Sequence, residues 1–224
     1  MVKYHTGFRP FMLTLVFLLF SSVILSASDY LSGTFWWETE PFVGGVDYPQ
    51  NEEEAIKYLL EEAQWVFSGM IYGFAVDYTP ADSSREIEQV FNMTPLGSIP
   101  WGDPRLKVIT GWRERTRHFT DIGYTLEGMT LLRRQAWESN VHPQASQLGL
   151  YTMYEGFRGR RRAVENAALQ AIRDYYRQRI GSRPTEIRGE IALFDVPYII
   201  IKEGAYHARV RICMDLEVTG QVAY

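Results

Sequence analysis

The sequence predicts an α+β fold in which antiparallel sheet is packed by two long amphipathic helices. Apolar residues recur at helical spacing over residues 52–68 and again over residues 160–180. Over residues 208–218, apolar and polar residues alternate, which is typical of an antiparallel strand with one buried face. The chain of 224 residues is long enough to bury one substantial core.

Residues 1–28 have the pattern of a cleaved secretory signal. Lys3 and Arg9 precede an apolar run at residues 11–25, and small residues follow at positions 26–28. The run is short for a bilayer span, which needs about 20 residues. The pattern predicts a periplasmic or secreted protein with no membrane span after cleavage. The alternative is an uncleaved signal that is kept as an anchor.

The remaining chain is predicted to consist of an acidic N-terminal half at 29–139, a connecting loop at 140–159 and a C-terminal half at 160–224. Residues 29–100 contain 13 acidic and 2 basic side chains, whereas residues 101–224 contain 19 basic and 14 acidic ones. Neutralisation within one molecule and contact between an acidic and a basic face of separate subunits both fit this asymmetry.

The first half begins with a well-marked helix and continues with mixed elements. Asn51 is placed to cap the helix at 52–68, with Glu54 three residues later, and Gly69 is placed to end it. The other predicted elements are a strand at 70–78, a short helix at 80–91, strands at 105–115 and 117–126, and a helix at 127–138 with Met129, Leu132 and Ala136 on one side.

The second half is predicted as one helix followed by three strands. Small residues in the helix at 160–180 allow close packing against a sheet. The strands are expected at 187–194, at 196–201 and from about 205 to 218. Both halves thus share a helix followed by strands, which leaves open two similar α-β-β-β halves. Cys213 falls on the polar face of the last strand, which predicts a reachable thiol.

Sequence motifs give no indication of catalysis, so the prediction is a protein that is not an enzyme and uses no metal or cofactor. Cys213 has no partner for a disulfide within the chain, and the histidines lack metal-ligand spacing. The least unfavourable pair for a glycan hydrolase is Glu114 with Asp121. The high aromatic content, 14%, fits a ring-rich core or a surface that stacks on sugars.

Two groups of arginines are the candidate binding residues. Cations at a helix N-terminus are electrostatically unfavourable, so an acidic neighbour is expected there. That neighbour is an acidic partner, a phosphate-bearing polymer or the chain's own Glu52–Glu54 segment, with plain solvation as the remaining alternative. The predicted partner-binding residues are Arg158, Arg160, Arg161 and Arg162 at the helix start, and Arg113, Arg115 and Arg117 on one face of a strand.

The C-terminal third resembles known bacterial envelope proteins. The Ala-rich helix at 163–172, followed by strands, resembles the helix-plus-sheet module of the flagellar H-ring protein's N-terminal domain and of small outer-membrane lipoproteins. The strand with Arg188-Gly189-Glu190 is similar to uncharacterised periplasmic proteins of spirochaetes. The resemblance implies a scaffold or accessory part of an envelope machine, and no catalytic residue comes with it.

These observations predict an exported, non-enzymatic envelope protein that binds another envelope protein or itself. The alternative is a cell-wall glycan-binding protein or glycan hydrolase that uses the aromatic residues. The export signal and the net charge of −4 disfavour nucleic acid as a partner.

Overall fold

The computed structural model describes residues 29–39, 49, 51–179 and 183–222, and the predicted signal lies outside them. The helices are α1 (Glu52–Ile71), α2 (Met129–Glu138) and α3 (Gly156–Arg179). The strands are β1 (Tyr30–Glu38), β2 (Phe74–Thr79), β3 (Val90–Pro95), β4 (Leu106–Glu114), β5 (Arg117–Thr125), β6 (Gln144–Thr152), β7 (Arg183–Leu193), β8 (Tyr198–Lys202) and β9 (Ala205–Val222).

The strands form two antiparallel sheets, which confirms the α+β class. The small sheet has the order β1-β5-β4. The large sheet has the order β3-β2-β7-β9-β6, and β8 also pairs with β9. Helix α1 contacts β1 and β5 of the small sheet and β7 of the large one, whereas α3 packs on β6 and β9. Because β2 lies beside β7, the large sheet combines strands from both predicted halves of the chain.

Helix α1 begins where the sequence predicts and ends later. The Asn51 side chain accepts a hydrogen bond of 2.8 Å from the Glu54 backbone N–H, as expected of an N-cap. The predicted stop at Gly69 is wrong, because that glycine continues the helix and makes room for the Phe74 ring. The chain turns at Gly73, whose φ of +77° suits a residue without a side chain, so β2 starts at Phe74 and not at residue 70.

The segment at 140–159, predicted as a connecting loop, instead contains β6 and the first turn of α3. In β6 the large apolar side chains lie on the exposed face. Leu148 and Leu150 face solvent, while Gly149 faces α3. A Cβ at Gly149 would overlap the backbone of Ala163 and Ala167 on that helix. The close approach confirms the expected role of the small residues, and the missing apolar side chain at Gly149 hides the strand from a periodicity analysis.

The short helix predicted at 80–91 does not form. The Asp82 side chain accepts a hydrogen bond from the Ser84 backbone N–H, and the Asp82 backbone pairs with Ile87 in an isolated bridge. Such local bonds from an aspartate compete with a helical turn. The chain therefore makes a tight turn here and continues as β3 from Val90.

Helix α2 forms as predicted but buries a different face. Met129 and Leu132, expected inside, are 64% and 58% exposed. The helix instead turns Arg134 inward, where its Nη1 donates hydrogen bonds to the carbonyl oxygens of Met70 and Leu193. Met70 lies in the last turn of α1, where unpaired carbonyls and the helix dipole favour a cation.

The expected reachable thiol of Cys213 is wrong, because the side chain is 1% exposed. Its face of the large sheet is covered by a small apolar cluster that includes Trp137 of α2 and Ala192. The polar-looking face of β9 is therefore a second, local core.

We predict that the Cys213 thiol is unreactive in the native protein. Burial excludes the reagent and raises the thiol pKa, so the reactive thiolate is scarce at neutral pH. A colorimetric thiol reagent should report almost no reaction before denaturation and one thiol per chain afterwards. Rapid reaction in the native state would show that α2 does not cover this face.

A charged contact fastens the loop before β4 to the core of the small sheet. The Arg105 guanidinium donates two hydrogen bonds to the Asp103 carboxylate, at 3.0 and 2.6 Å, and the Tyr124 hydroxyl donates a third at 3.2 Å. The bonds from Arg105 are the main reason that the pKa of Asp103 is lowered to about 2. Burial raises the pKa of Tyr124 to about 12.

We predict that Asp103→Asn lowers the free energy of unfolding by about 1–2 kcal/mol at pH 7, with the partial exposure of Arg105 allowed for. Because folding lowers the pKa of Asp103 from 3.8 to about 2, its stabilisation is complete above pH 4 and is lost as pH falls towards 2. Urea unfolding at several pH values measures this. The control is Asp195→Asn, which breaks an exposed pair with Arg211. Equal losses in the two variants would contradict the prediction.

Candidate functional site

The arginine at the start of α3 that was expected to face a partner lies in the core. The Arg160 side chain is 3% exposed, and its Nε donates a hydrogen bond of 2.9 Å to Glu62 Oε1 of α1. The acidic neighbour is therefore Glu62 and not the predicted Glu52–Glu54 segment. The predicted outward role of Arg160 is wrong because α3 turns this position towards α1.

The other three arginines of this group do not form one basic face. Arg158 and Arg162 are exposed, and Arg162 pairs with Glu165 on the next turn at 2.8 Å. The guanidinium of Arg161 lies over the Trp65 ring, 5.4 Å from its centroid. The Arg162–Glu165 surface pair contributes little to stability. Because it neutralises Arg162, it leaves no concentrated positive charge for a partner.

The arginines at 113, 115 and 117 also do not share a face, because the turn of the β4–β5 hairpin falls within the run. Arg115 stands in that turn with φ of +54°. Arg113 lies opposite His118, whose side chain faces inward, whereas Arg117 is on the outer face and binds Glu38 at 2.7 Å. Arg113 donates hydrogen bonds to the Arg115 carbonyl and a threonine hydroxyl, neither of which cancels its charge. The hairpin tip is therefore basic.

Strand β4 forms an exposed edge of the small sheet. Among the described strands it pairs with β5 alone, and each of its residues from 107 to 114 is exposed. A bulge at Ile109 interrupts its pairing. We call this region the β4 surface, and it consists of Val108, Ile109, Trp112, Arg113 and Arg115. The three apolar members are 41–55% exposed, so the edge offers both backbone groups and apolar side chains.

An aromatic row crosses the outer face of the small sheet beside this surface. Trp36 lies opposite Phe119, which lies opposite Trp112. The rings of Phe119 and Trp112 are nearly parallel, with centroids 5.4 Å apart. The guanidinium groups of Arg117 and Arg160 lie 4.4 and 4.6 Å from the Trp36 ring. Phe119 therefore covers one face of Trp112, and the Trp36 ring contacts two cations.

A cavity of about 230 Å³ lies where the small sheet meets β8. The Trp36 indole N–H donates a hydrogen bond of 3.1 Å to the Ile199 carbonyl and so joins β1 of the small sheet to β8. Residues on the wall that bear on its chemistry are Trp36, Glu62, Arg117, Phe119, Arg160 and Tyr198. Two buried atoms of these residues, Arg160 Nη1 and Glu62 Oε2, have no hydrogen-bond partner.

The spacing of apolar residues around Arg160 and Glu62 indicates that both lie on buried helix faces, although the sequence analysis did not predict this pair. Arg160 precedes Ala163 by three residues and Ala167 by seven, so it lies on the buried stripe of α3. Glu62 follows Leu59 by three residues, which places it on the buried face of α1. A charged residue inside each apolar stripe indicates a buried ion pair. No comparable signal marks Trp36, because β1 has no predicted period.

The acids considered for hydrolysis do not converge. Glu114 lies opposite Arg117, and Asp121 lies four residues further along β5. That places the acids about 13 Å apart along the sheet, beyond the ~5–9.5 Å of glycosidase pairs. Asp121 instead accepts a hydrogen bond of 2.6 Å from Thr34. Within the described ranges, the acidic, histidine and cysteine side chains form no cluster of three suited to a metal ion.

These features define an α+β protein with two antiparallel sheets, an open edge strand and a small cavity at the sheet junction. None of the helices described here combines the length and apolarity that crossing a membrane demands.

A protein-family model matches residues 21–221, so the chain belongs to that family. An uncharacterized protein of Treponema pallidum (strain Nichols) is 21% identical over 154 residues, which cover 69% of this chain and 65% of the relative. The chain therefore spans less than two thirds of that relative's length. The matches support a relation to spirochaete proteins, whereas they do not support the similarity to the flagellar H-ring protein or the lipoproteins. No solved structure matches the chain.

Proposed function

We propose that the protein is an exported, non-enzymatic envelope protein that binds another envelope protein through the β4 surface, as a scaffold or accessory component. The observation that carries the proposal is the open edge of β4, whose residues 107–114 are all exposed. Export rests on the signal pattern of residues 1–28.

An edge strand binds a partner by accepting an additional strand from it. The unpaired N–H and C=O groups of the edge supply main-chain hydrogen bonds, and side chains on alternate positions supply specificity. Val108, Ile109 and Trp112 provide the apolar contacts. The bulge at Ile109 bends the edge, and such bends hinder indiscriminate pairing between copies. This combination favours a selective partner over self-association.

Charge at the hairpin tip favours an acidic partner segment. Arg113 and Arg115 are exposed at the tip and Lys107 is exposed near the other end of β4, against one acid on the strand, Glu114. Complementary charge accelerates association and aligns the added strand, and added salt weakens both effects.

The test compares capture of envelope proteins by the full-length protein and two variants. Ile109→Glu places a charge on the β4 surface, and Leu132→Glu places the same charge on α2 at a similarly exposed position. Affinity purification from the native envelope, with quantitative mass spectrometry, should show one partner lost about tenfold or more by Ile109→Glu, because an unpaired charge enters the interface. The control should retain it. Equal capture by both variants would contradict the proposal.

A further inference from the structure

We propose that the partner segment bound at the β4 surface is an antiparallel strand in which an acidic residue is followed directly by an aromatic residue. This acidic–aromatic motif rests on the proposed function and goes beyond it, because it names the side chains that the open edge selects. The motif comes from Trp112 and Arg113, which are adjacent in β4 and lie on opposite faces of the small sheet.

The hairpin determines which main-chain groups of β4 a partner strand can reach. Two residues connect β4 to β5, and the closing pair is Glu114 with Arg117. In a two-residue hairpin the closing pair exchanges main-chain hydrogen bonds, and the pattern then alternates along the strand. The N–H and C=O groups of Arg113 and Gly111 therefore point away from β5. A strand that bonds to these groups places one residue opposite Trp112, in a pair whose side chains lie close together.

The ring of Trp112 selects an aromatic side chain. Phe119 of β5 stacks on one face of this ring, with an interplanar angle of 9°. Because Phe119 lies on the β5 side, the other face of the Trp112 ring is directed towards the open edge, and the residue is 41% exposed. An aromatic residue opposite Trp112 would extend the row of Trp36, Phe119 and Trp112 by one ring.

The charge of Arg113 selects an acidic residue on the inner face. Its guanidinium donates hydrogen bonds to the Arg115 carbonyl and the Thr39 hydroxyl, both of which are neutral acceptors. Glu52 of α1 approaches the same face, but it lies 3.8 Å from the His118 imidazole, one strand further from the edge. A carboxylate on the added strand, opposite Arg113, would supply the counter-ion.

The order of the two residues follows from the direction of the added strand. Antiparallel pairing is the more stable per residue, and it presents the residue opposite Arg113 before the residue opposite Trp112. The position before them faces Glu114 on the outer face, where an acid would be repelled. The segment therefore reads acidic and then aromatic from its N-terminus, whereas a parallel strand would require the reverse order.

The experiment selects binders of the full-length protein from a library of displayed random peptides. Sequencing of the selected peptides should show acidic–aromatic pairs enriched about tenfold over aromatic–acidic pairs, a ratio that corresponds to about 1.4 kcal/mol. The two pairs contain the same residues, so net charge and hydrophobicity cannot produce the difference. Equal enrichment of the two orders, or enrichment of neither, would overturn the motif.

Matched variants assign each half of the motif to its residue. Arg113→Glu should replace the selected acid by a basic residue, whereas Lys107→Glu, the same change near the other end of β4, should leave the selection unchanged. Trp112→Val should remove the aromatic preference, whereas Trp101→Val, at a 56% exposed residue in the loop before β4, should retain it. The same response from both members of either pair would overturn the motif.

The Ile109→Glu variant separates failure of the motif from failure of the proposed function. Peptides that carry the motif and are lost on Ile109→Glu would support both. Peptides that are lost on this variant but lack the motif would leave binding at the β4 surface intact and overturn the motif alone. Peptides that carry the motif and bind the parent and Ile109→Glu equally would place their site elsewhere, which also overturns the motif.

Discussion

Glu62→Leu is expected to lower the free energy of unfolding by about 3–5 kcal/mol, the largest effect among the substitutions considered. The change leaves the Arg160 guanidinium buried without a counter-ion, since its side chain is only 3% exposed. The Trp36 ring beneath it, 4.6 Å away, can offset only part of that loss. Urea unfolding followed by circular dichroism measures the difference.

A double-mutant cycle separates the loss of the pair from the loss of either residue. Changing Glu62 and Arg160 together to Leu should recover much of the stability, because replacing a buried ion pair with apolar residues is often neutral. Glu165→Leu is the matched control on α3, since it breaks the exposed pair with Arg162, and should cost about 0–1 kcal/mol. A loss below 1 kcal/mol for Glu62→Leu would contradict the buried placement of Arg160.

The second large effect is expected for Gly149→Ala. The added methyl group would overlap the backbone of Ala163 and Ala167, and backbone atoms cannot move aside as a flexible side chain can. The expected destabilisation is at or above the upper end of the ~1–3 kcal/mol that is typical of overpacking.

Gly111→Ala provides the control on another edge strand. A Cβ there would have its nearest neighbours at 3.5 Å, an ordinary contact distance. That variant should unfold within about 0.5 kcal/mol of the parent, or be slightly more stable because alanine restricts the unfolded chain. Thermal and urea unfolding of both variants measures the contrast. Equal stability would show that α3 does not lie against β6 at this point.

The parts of the fold that the sequence predicts are those in which apolar residues repeat at one regular spacing without interruption. Helices α1 and α3 and strand β9 keep their apolar stripe over many residues, so each was located to within a few residues. Strands β1 and β6 were missed because local packing disturbs their alternation. In β6, contact with α3 requires a glycine at an inward position. In β1, Trp36 and Trp37 face opposite sides and hide the period.

The candidate sites depend on tertiary contacts that the sequence indicates only in part. The basic tip of the hairpin was visible as a run of arginines, yet the turn at Arg115 separates their faces. The sequence places Arg160 at a helix start, where a cation is electrostatically unfavourable. Its partner Glu62 is 98 residues away, and only the tertiary fold brings the two side chains together.

The most direct test of the central claim is in-cell crosslinking from the β4 surface. A photocrosslinking side chain at Ile109, which is 55% exposed, should join the protein to one envelope partner. The same group at Leu132, 58% exposed on α2, should give no such product. The yield at position 109 should fall as salt rises in isolated envelopes, because the basic tip contributes to binding. The same crosslinked product from both positions, or none from position 109, would contradict a role for the β4 surface in binding an envelope partner.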